Sequence, residues 1–363
     1  MRRLLSRSSA LGFVILCSAC GAFASRTVTA PEPVSGGLRF SSLAEGGAAF
    51  AGGVTIDGAG YTWGENYYGQ LGDGTTAERN SPVPVVGGLR FSSLTMGAFY
   101  TCGLTTDGAA YCWGLHPGEG PMDGRQAPAP VGTGLVFSAL AAGSSHLCGL
   151  TGAGAAYCWN PPSIGQIGDG TSAILGPVLI AGDVRFTSIA AGDGHSCGLT
   201  KGGAAFCWGN NEYGQLGDGT TTSRTTPMVV VGGLVFSSVT AGGWHSCGLT
   251  SVGAAYCWGF NSWGNLGDGT RIHRSVPVAV TGGLRFRSLA QGQHTCGLTT
   301  EGLAYCWGAN WRGALGDGTT SPRDAPVAVK GGLRFKSLTA GNVQTCGLTT
   351  SGVAYCWGLK HQH

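Results

Sequence analysis

The chain has 363 residues, and its 21 lysines and arginines against 18 acidic residues give a formal net charge of +3. Three of the arginines lie in the first 24 residues, which contain no acidic residue, so the remainder has 18 residues of each sign (21 less 3 basic) and no net charge. No run of lysines and arginines remains there, although nucleic-acid-binding proteins normally carry a basic stretch, so we expect no nucleic-acid partner.

The N-terminal segment is typical of an export signal. Three arginines precede the apolar run 10–16, which is too short to cross a bilayer, and small residues follow it. The sequence therefore predicts export to the cell envelope or to the outside of the cell.

Two processing sites compete in this segment. Residues 22–24 fit an Ala-x-Ala cleavage site, which would make 1–24 the signal peptide. Alternatively, Cys20 lies in a sequence that resembles a bacterial lipobox, although Cys17 stands where leucine is usual, and 1–19 would then be removed. We prefer the lipoprotein, in which a lipid on Cys20 is the only contact with a membrane.

The rest of the chain repeats one hairpin at intervals of about 50 residues. In residues 101–114, two short strand-like runs surround an Asp-Gly turn, and a cysteine closes each outer end. Five more copies keep both cysteines, whereas the first copy, 52–63, has Gly52 and Thr62 in their places. The 68 glycines recur at fixed places between the strand-like runs, so we interpret them as turn residues and not as a sign of disorder.

Each repeat contains about four short strands and no amphipathic helix, which predicts an all-β fold, a seven-bladed β-propeller. The last repeat stops after 357–358 without a fourth strand, and a lone strand at 31–34 precedes the first repeat. A ring can complete its last blade with that N-terminal strand, which removes two exposed sheet edges, whereas an open solenoid would need capping units. We therefore expect a single domain over 25–363, closed in this way.

Three phrases of the repeat carry a family resemblance over residues 30–358. They are Gly-x-x-His-x-Cys-Gly-Leu-Thr, Tyr-Cys-Trp-Gly and Asn-x-x-Gly-Gln-Leu-Gly-Asp-Gly-Thr, and together they resemble the repeat of the regulator of chromosome condensation family. The resemblance implies a seven-bladed propeller whose last blade is completed by the N-terminal strand. The family includes a nuclear nucleotide-exchange factor for Ran, a plant UV-B photoreceptor and a secreted bacterial inhibitor of β-lactamase, so the fold leaves the function open. What these members share is binding to other proteins.

The twelve cysteines of the repeats are predicted to form six disulfides, each within one hairpin. Paired cysteines stand at equal distances from the turn and should face each other across the two strands, at a separation close to what a disulfide needs. The first copy lacks both together, as expected of a pair that acts as a unit, and an exported chain meets an oxidising environment. The predicted bonds are Cys102–Cys112, Cys148–Cys158, Cys197–Cys207, Cys247–Cys257, Cys296–Cys306 and Cys346–Cys356.

A metal site is the competing interpretation, because His146, His195, His245 and His294 each stand two residues before a cysteine. A closed zinc site needs four ligands, and one hairpin offers at most two cysteines and one histidine, so we expect no metal. A catalytic group needs to occur only once, so we interpret these recurring histidines as bonds between neighbouring blades. The aspartates of the Gly-Asp-Gly-Thr loops are interpreted as turn residues and not as calcium ligands. We therefore expect no catalytic residue, no cofactor and no enzymatic activity.

Aromatic residues that the repeat does not require are the candidate partner anchors, because interface hot spots favour Trp, Tyr and Arg. One set lies in the bend before the hairpin and a second in the long loop after it, where the copies differ from one another. The alternative is that these rings only cover their own loops. The predicted partner-binding residues are Phe99, Tyr100 and Trp244 in the bends, and Tyr68, Tyr213, Trp263 and Trp311 in the loops.

The sequence thus predicts a monomeric, non-catalytic, extracytoplasmic propeller that binds a protein or another cell-envelope partner through its variable loops. Two alternatives follow from the resemblance. One is nucleotide exchange on a small GTPase, against which the export signal argues, and the other is secreted inhibition of an enzyme such as a β-lactamase.

Overall fold

The computed structural model describes residues 25–47, 49–115, 124–132, 134–159, 165–170 and 176–361. The predicted signal peptide and its alternative lipidation site, Cys20, lie outside the described residues. Within the described ranges, no helix is long and apolar enough to cross a membrane.

The described part of the chain contains 28 strands, arranged in seven antiparallel four-stranded sheets. The first strand is β1 (Ser25–Pro33), and those of blades 1 to 3 are β2 (Phe40–Glu45), β3 (Phe50–Thr55), β4 (Gly60–Gly64), β5 (Arg79–Pro84), β6 (Phe91–Met96), β7 (Tyr100–Thr105), β8 (Ala110–Gly114), β9 (Arg125–Val131), β10 (Phe137–Ala142), β11 (Leu147–Thr151), β12 (Ala156–Trp159) and β13 (Val178–Leu179). Those of blades 4 to 6 are β14 (Phe186–Ala191), β15 (His195–Thr200), β16 (Ala205–Gly209), β17 (Arg224–Val229), β18 (Phe236–Ala241), β19 (His245–Thr250), β20 (Ala255–Gly259), β21 (Arg274–Ala279), β22 (Phe286–Gln291), β23 (His294–Thr299), β24 (Ala304–Gly308) and β25 (Arg323–Ala328). Blade 7 has β26 (Phe335–Ala340), β27 (Gln344–Thr349) and β28 (Ala354–His361).

The ring closes through the N-terminal strand. In blades 1 to 6 the four strands pair in chain order, whereas in blade 7 the fourth strand is β1, which pairs antiparallel with β28. Ser25 lies opposite His361, and Pro33 lies opposite Tyr355. The predicted all-β, seven-bladed propeller closed by its N-terminal strand is therefore confirmed.

Each hairpin folds around a glycine that adopts the left-handed conformation. In blade 2, Gly108 has φ +86°. The backbone nitrogen of Thr105 donates to Ala109 O at 2.9 Å, and its backbone oxygen accepts from Gly108 N at 3.1 Å. This two-strand register places Cys102 directly opposite Cys112. The structure pairs all twelve repeat cysteines in the predicted way, with paired Cα atoms 4.0 to 4.1 Å apart.

The hydrophobic core lies between blades and not within them. Between blades 4 and 5, for example, the disulfide Cys197–Cys207 and Leu216 pack against Phe236 and Trp258 of the next blade. Trp258 is fully buried and donates its Nε1 proton to a backbone carbonyl of blade 4, at 2.9 Å. Because each tryptophan side chain is buried by its neighbour, one blade cannot form a core alone, and the ring stabilises itself as a whole.

The four recurring histidines join neighbouring blades, as the sequence predicted. His245 Nε2 lies 2.7 Å from Thr295 Oγ1 of the next blade, and the other three make the same contact at 2.6 to 2.8 Å with Ser196, Ser246 and Thr345. Burial lowers their pKa values from 6.5 to about 4 for His146 and His294 and to about 3 for His195 and His245.

Where the partner hydroxyl is missing, the histidine is missing too. In blade 2, Tyr100 takes the histidine's place, and the next blade, blade 3, has Leu147 in place of the hydroxyl residue. In blade 7, Gln344 takes the histidine's place, and the next blade of the ring, blade 1, has Ala51 in place of the hydroxyl residue. Blade 1 has Phe50 at the histidine position although blade 2 keeps the hydroxyl of Thr101. A histidine therefore occurs only where the next blade offers a hydroxyl, as expected of a hydrogen-bonded pair.

The first blade, which lacks a disulfide, is filled from its neighbour. A Cβ atom added at Gly52 would lie 2.6 Å from Met96 Cε of blade 2. A flexible methionine therefore occupies space that two sulfurs occupy elsewhere in the ring. In four other blades the residue at the position of Met96 is alanine, namely Ala142, Ala191, Ala241 and Ala340.

Glu45 occupies the same position in blade 1, where it lies against the disulfide Cys346–Cys356 of blade 7. Its carboxyl group lies within 4.8 Å of both sulfur atoms, and neither carboxyl oxygen has a hydrogen-bond partner among the described residues. Burial raises the pKa of Glu45 well above its usual value. Since the two sulfurs are bonded to each other, this cluster does not supply the thiolates of a zinc site.

Candidate functional site

The strand order separates the connections into two ends of the ring. In every blade, the bend between the first and second strands lies at the end where the third strand finishes and the fourth begins, which we call the loop end. The described long loops between the third and fourth strands lie at this end. The turn between the second and third strands and the link to the next blade lie at the opposite end, which we call the turn end. Both predicted sets of partner-binding residues therefore come together at the loop end.

Glycines let the seven bends approach one another around the ring axis. A Cβ atom added at Gly292 would collide with the backbone oxygen of Gly341 in the next blade. The bends also bond across blades, since Gly47 N donates to Gly97 O at 2.9 Å and Gly243 N donates to Gly292 O at 2.9 Å. The bends form a rigid rim, so the side chains that follow them have fixed positions.

An asparagine holds each complete long loop. In blade 5, Asn261 Nδ2 donates to Asp268 Oδ1 and to the backbone oxygens of Thr270 and Ile272, each at 3.1 Å. Its Oδ1 accepts a hydrogen bond from Leu266 N at 2.9 Å. The same network occurs in three other loops, around Asn66, Asn211 and Asn310.

The loop aspartates are turn residues, in agreement with the interpretation of the Gly-Asp-Gly-Thr phrase. Asp268 Oδ1 accepts from Thr270 N, two residues later, at 3.0 Å, and Oδ2 lies 3.2 Å from Arg274. Burial alone would raise the pKa of Asp268, but the hydrogen bonds from Thr270, Asn261 and Arg274 outweigh it and lower the pKa. Sequence reasoning missed that the asparagine and the arginine belong to this network, although their spacing from the aspartate recurs in four repeats.

Aromatic side chains from two blades form one cluster on this rigid frame. Tyr213 of the blade 4 loop lies with its ring centroid 5.8 Å from Trp244, which follows the bend of blade 5, and 5.0 Å from Phe260. Trp244 and Phe260 are 5.6 Å apart, and His273 stacks on Phe260 at 5.1 Å. Phe260 and His273 were not among the predicted residues, because nothing in the sequence shows that they lie beside Trp244.

Two further aromatic clusters lie at the same end. Trp263 and Trp311, from the loops of blades 5 and 6, meet edge to face with centroids 4.6 Å apart. Between blades 1 and 2, Tyr68 contacts both Tyr67, at 5.1 Å, and Phe99, at 5.3 Å. The three clusters thus bridge adjacent blades at the surface, where the hydrophobic core does not need them.

Six of the seven predicted partner-binding residues reach the surface of the loop end. Phe99, Trp244 and Trp311 are 40 to 49% exposed, and Tyr68, Tyr213 and Trp263 are partly exposed. Tyr100 is the exception and corrects the prediction: it is 1% exposed, and its hydroxyl donates to His146 O of the next blade at 2.6 Å. Tyr100 therefore substitutes for a histidine between blades and cannot contact a partner.

A cavity of about 230 Å³ lies on the axis, surrounded by the bends. Asp193 lines this cavity, and its carboxyl group accepts hydrogen bonds from Ser144 and from Gln293, the latter at 3.2 Å across an intervening blade. Burial raises the pKa of Asp193, and the hydrogen bond from Ser144 opposes that rise. These hydrogen bonds link the bends of blades 3, 4 and 6, on the side of the ring that carries the cluster of Trp244.

Comparison with known proteins finds a family model that matches these repeats. A family model described as the regulator of chromosome condensation (RCC1) repeat matches residues 57–104, 202–249, 253–298 and 301–348, and a second model of that description matches 186–215 and 236–264. Together the matches cover more than half of the chain. A search of curated protein sequences finds no match.

Solved structures with a similar fold come from several organisms. Human WBSCR16 is 20% identical with a TM-score of 0.79, over 92% of this chain and 89% of that one. Yeast RCC1 (Prp20), solved bound to Kap60, is 22% identical with a TM-score of 0.73, over 88% and 80%. The ectodomain of the receptor kinase CR4 from Physcomitrella patens is 26% identical with a TM-score of 0.58, over 88% and 74%.

Proposed function

The chain belongs to the regulator of chromosome condensation (RCC1) repeat family, and from that premise we propose that it is an exported, non-catalytic propeller whose loop end binds another protein. The observation that carries this proposal is the set of three surface aromatic clusters at the loop end. Rigidly held Trp, Tyr and Phe side chains lose little conformational freedom on binding, which makes them effective anchors. Yeast RCC1, which is similar in fold, was solved bound to a protein partner, Kap60.

Export is supported by the cysteines as well as by the N-terminal signal. Six disulfides, one in every blade except the first, suit an oxidising compartment. The similarity to a receptor-kinase ectodomain agrees with this location. The same feature favours an extracytoplasmic binding protein over a nucleotide-exchange factor, which would act where glutathione keeps thiols reduced.

The test compares capture of proteins from the soluble periplasmic fraction by wild type and by the variant Trp244→Ala, Trp311→Ala. The matched control is Val136→Ala, Val235→Ala, which removes apolar groups at the turn end that are more exposed than the two tryptophans. Each hot-spot truncation is expected to cost about 2 kcal/mol or more, or at least ~30-fold in affinity. Proteins captured by wild type and control should therefore be lost with the tryptophan variant.

Folding of each variant is checked by intact mass, which reports the six disulfides, and by the thermal unfolding midpoint. If the folded tryptophan variant captures the same proteins in the same amounts, the loop end is not the binding surface. A soluble fraction contains no bilayer, so the result does not depend on any membrane interaction of the turn end.

A further inference from the structure

Basic side chains from distant repeats come together at the turn end. The link into each blade places one exposed residue against the turn of the preceding blade, and in five blades this residue is an arginine. These are Arg39, Arg90, Arg185, Arg285 and Arg334. Among the described residues of this end, Arg90 alone has a side-chain ion pair, with Asp57 at 3.2 Å.

The basic residues are densest over blades 6, 7 and 1, a region that we call the basic arc. It consists of Arg285 and Arg287 in blade 6, Arg334 and Lys336 in blade 7, and Arg39 in blade 1, all exposed. The three turns beside these residues contain one acidic side chain, Glu301, whose backbone oxygen accepts from Arg334. The basic arc therefore has five cations beside one acid, and Asp57 in the turn of blade 1 is paired with Arg90, outside the arc. The chain beyond residue 24 nevertheless has no net charge.

Aliphatic side chains project from the same end. Ile56 is 77% exposed and Val252 68% exposed at the tips of two turns, and Val136 and Val235, in two of the links, are 67% and 66% exposed. The exposed aromatic clusters all lie at the opposite end. Exposed cations and short aliphatic groups thus share the turn end with four exposed acidic residues, Asp57, Asp107, Asp183 and Glu301.

We infer that the turn end binds the surface of an anionic phospholipid bilayer. A planar partner can reach the basic arc and the aliphatic turn tips at once, and each Arg or Lys near an anionic membrane contributes to binding while exposed aliphatic groups enter the headgroup region. A single-stranded nucleic acid would instead be expected to stack on exposed aromatic side chains, and the described residues of this end include none. Protein binding at the loop end and membrane binding at the turn end would let the ring hold a partner at a membrane.

A lipid on Cys20 would not account for this binding. β1 begins at the loop end, because Ser25 pairs with His361, the last residue of the third strand of blade 7. The chain therefore enters the propeller on the face opposite to the basic arc. The test therefore uses the processed protein, residues 25–363, which carries neither Cys20 nor the basic and apolar N-terminal segment.

The experiment measures co-sedimentation of this protein with phosphatidylcholine vesicles and with vesicles that contain about a third phosphatidylglycerol. We expect partition onto the anionic vesicles alone, weakened by added salt. Each removed cation should lower the partition coefficient about fivefold, so Arg285→Gln with Lys336→Gln should lower it about 25-fold. The control Arg271→Gln with Arg312→Gln removes the same charge from the loop end and should leave partition unchanged.

Val235→Ser with Val252→Ser should reduce mainly the part of the partition that persists at high salt, because that part depends on apolar insertion. Partition that is absent, equal for neutral and anionic vesicles, or unaffected by the loss of Arg285 and Lys336 would overturn the inference. A DNA duplex that displaces the protein from vesicles and binds it through the same two residues would identify a polyanion site instead, and would also overturn it.

Discussion

Acid should destabilise this propeller through the four histidines between its blades. His146, His195, His245 and His294 are fully buried, and each contacts a hydroxyl of the next blade with Nε2. Burial keeps them neutral, with pKa values of about 3 to 4 against an ordinary 6.5. They bind protons readily only after unfolding, so the stability that they contribute is complete above about pH 6.5 and is lost as the pH falls toward the folded-state values.

The magnitude follows from the size of the shift. At about pH 5, each histidine is ~1.5 units below its unfolded pKa, which corresponds to about 2 kcal/mol per residue and about 8 kcal/mol for four. That loss is comparable with the whole stability of an ordinary domain, about 5 to 15 kcal/mol. Glu45 and Asp193 have raised pKa values and act in the opposite direction over this range, so single variants give a cleaner test than the total.

The informative variant is His245→Gln, because glutamine already occupies this position in blade 7 as Gln344. At about pH 7.5 the variant should be less stable than wild type by about 1 kcal/mol, owing to the lost hydrogen bond to Thr295. At about pH 5 it should be more stable by about 1 kcal/mol, because it avoids the cost of about 2 kcal/mol for the buried imidazole. The two stability curves should cross near pH 6.

The assay is equilibrium unfolding by guanidinium chloride without reductant, at a series of pH values. The control is Thr295→Val, which removes the hydroxyl but keeps the imidazole of His245, so it should destabilise the protein while leaving the slope against pH unchanged. A wild-type stability that stays constant between about pH 7.5 and pH 5, or parallel curves for His245→Gln and wild type, would refute the reasoning.

Three other outcomes test the packing between blades. Glu45→Ala, which copies Ala340, should raise the melting temperature at about pH 8 and leave it nearly unchanged at about pH 4, because the raised pKa of Glu45 makes its folded state less stable as the pH rises; an equal change at both pH values would contradict this. The triple variant Gly52→Cys, Thr62→Cys, Met96→Ala should gain a seventh disulfide and about 2 to 3 kcal/mol of stability. The double variant that keeps Met96 should lose most of that gain, because the methionine side chain clashes with the new cysteine. Mass after alkylation and unfolding midpoints measure both effects. Intact mass of the exported protein before and after reduction should differ by twelve hydrogens, and free thiols in the repeats of the unreduced protein would disprove the pairing.

The sequence determined the strands, turns and disulfides within one repeat, although it did not reveal the asparagine and arginine of the loop network. The Asp-Gly turn sets the register of each hairpin, so the pairing of Cys102 with Cys112 followed from their distance to the turn alone. The count of repeats, with a strand missing at one end and supplied at the other, likewise determined a closed ring of seven blades. These inferences needed no knowledge of how one blade contacts another.

Apart from the recurring histidines, only the tertiary structure decided which residues lie between blades, because residues about 50 positions apart become neighbours through the rotation of each blade relative to the next. For that reason Tyr100 was mistaken for a surface anchor, Phe260 and His273 were not recognised beside Trp244, and the role of Met96 at Gly52 was invisible. The basic arc has the same origin. Its five cations come from three repeats at opposite ends of the chain, so no basic run appears in the sequence, and closure of the ring alone brings them onto one surface.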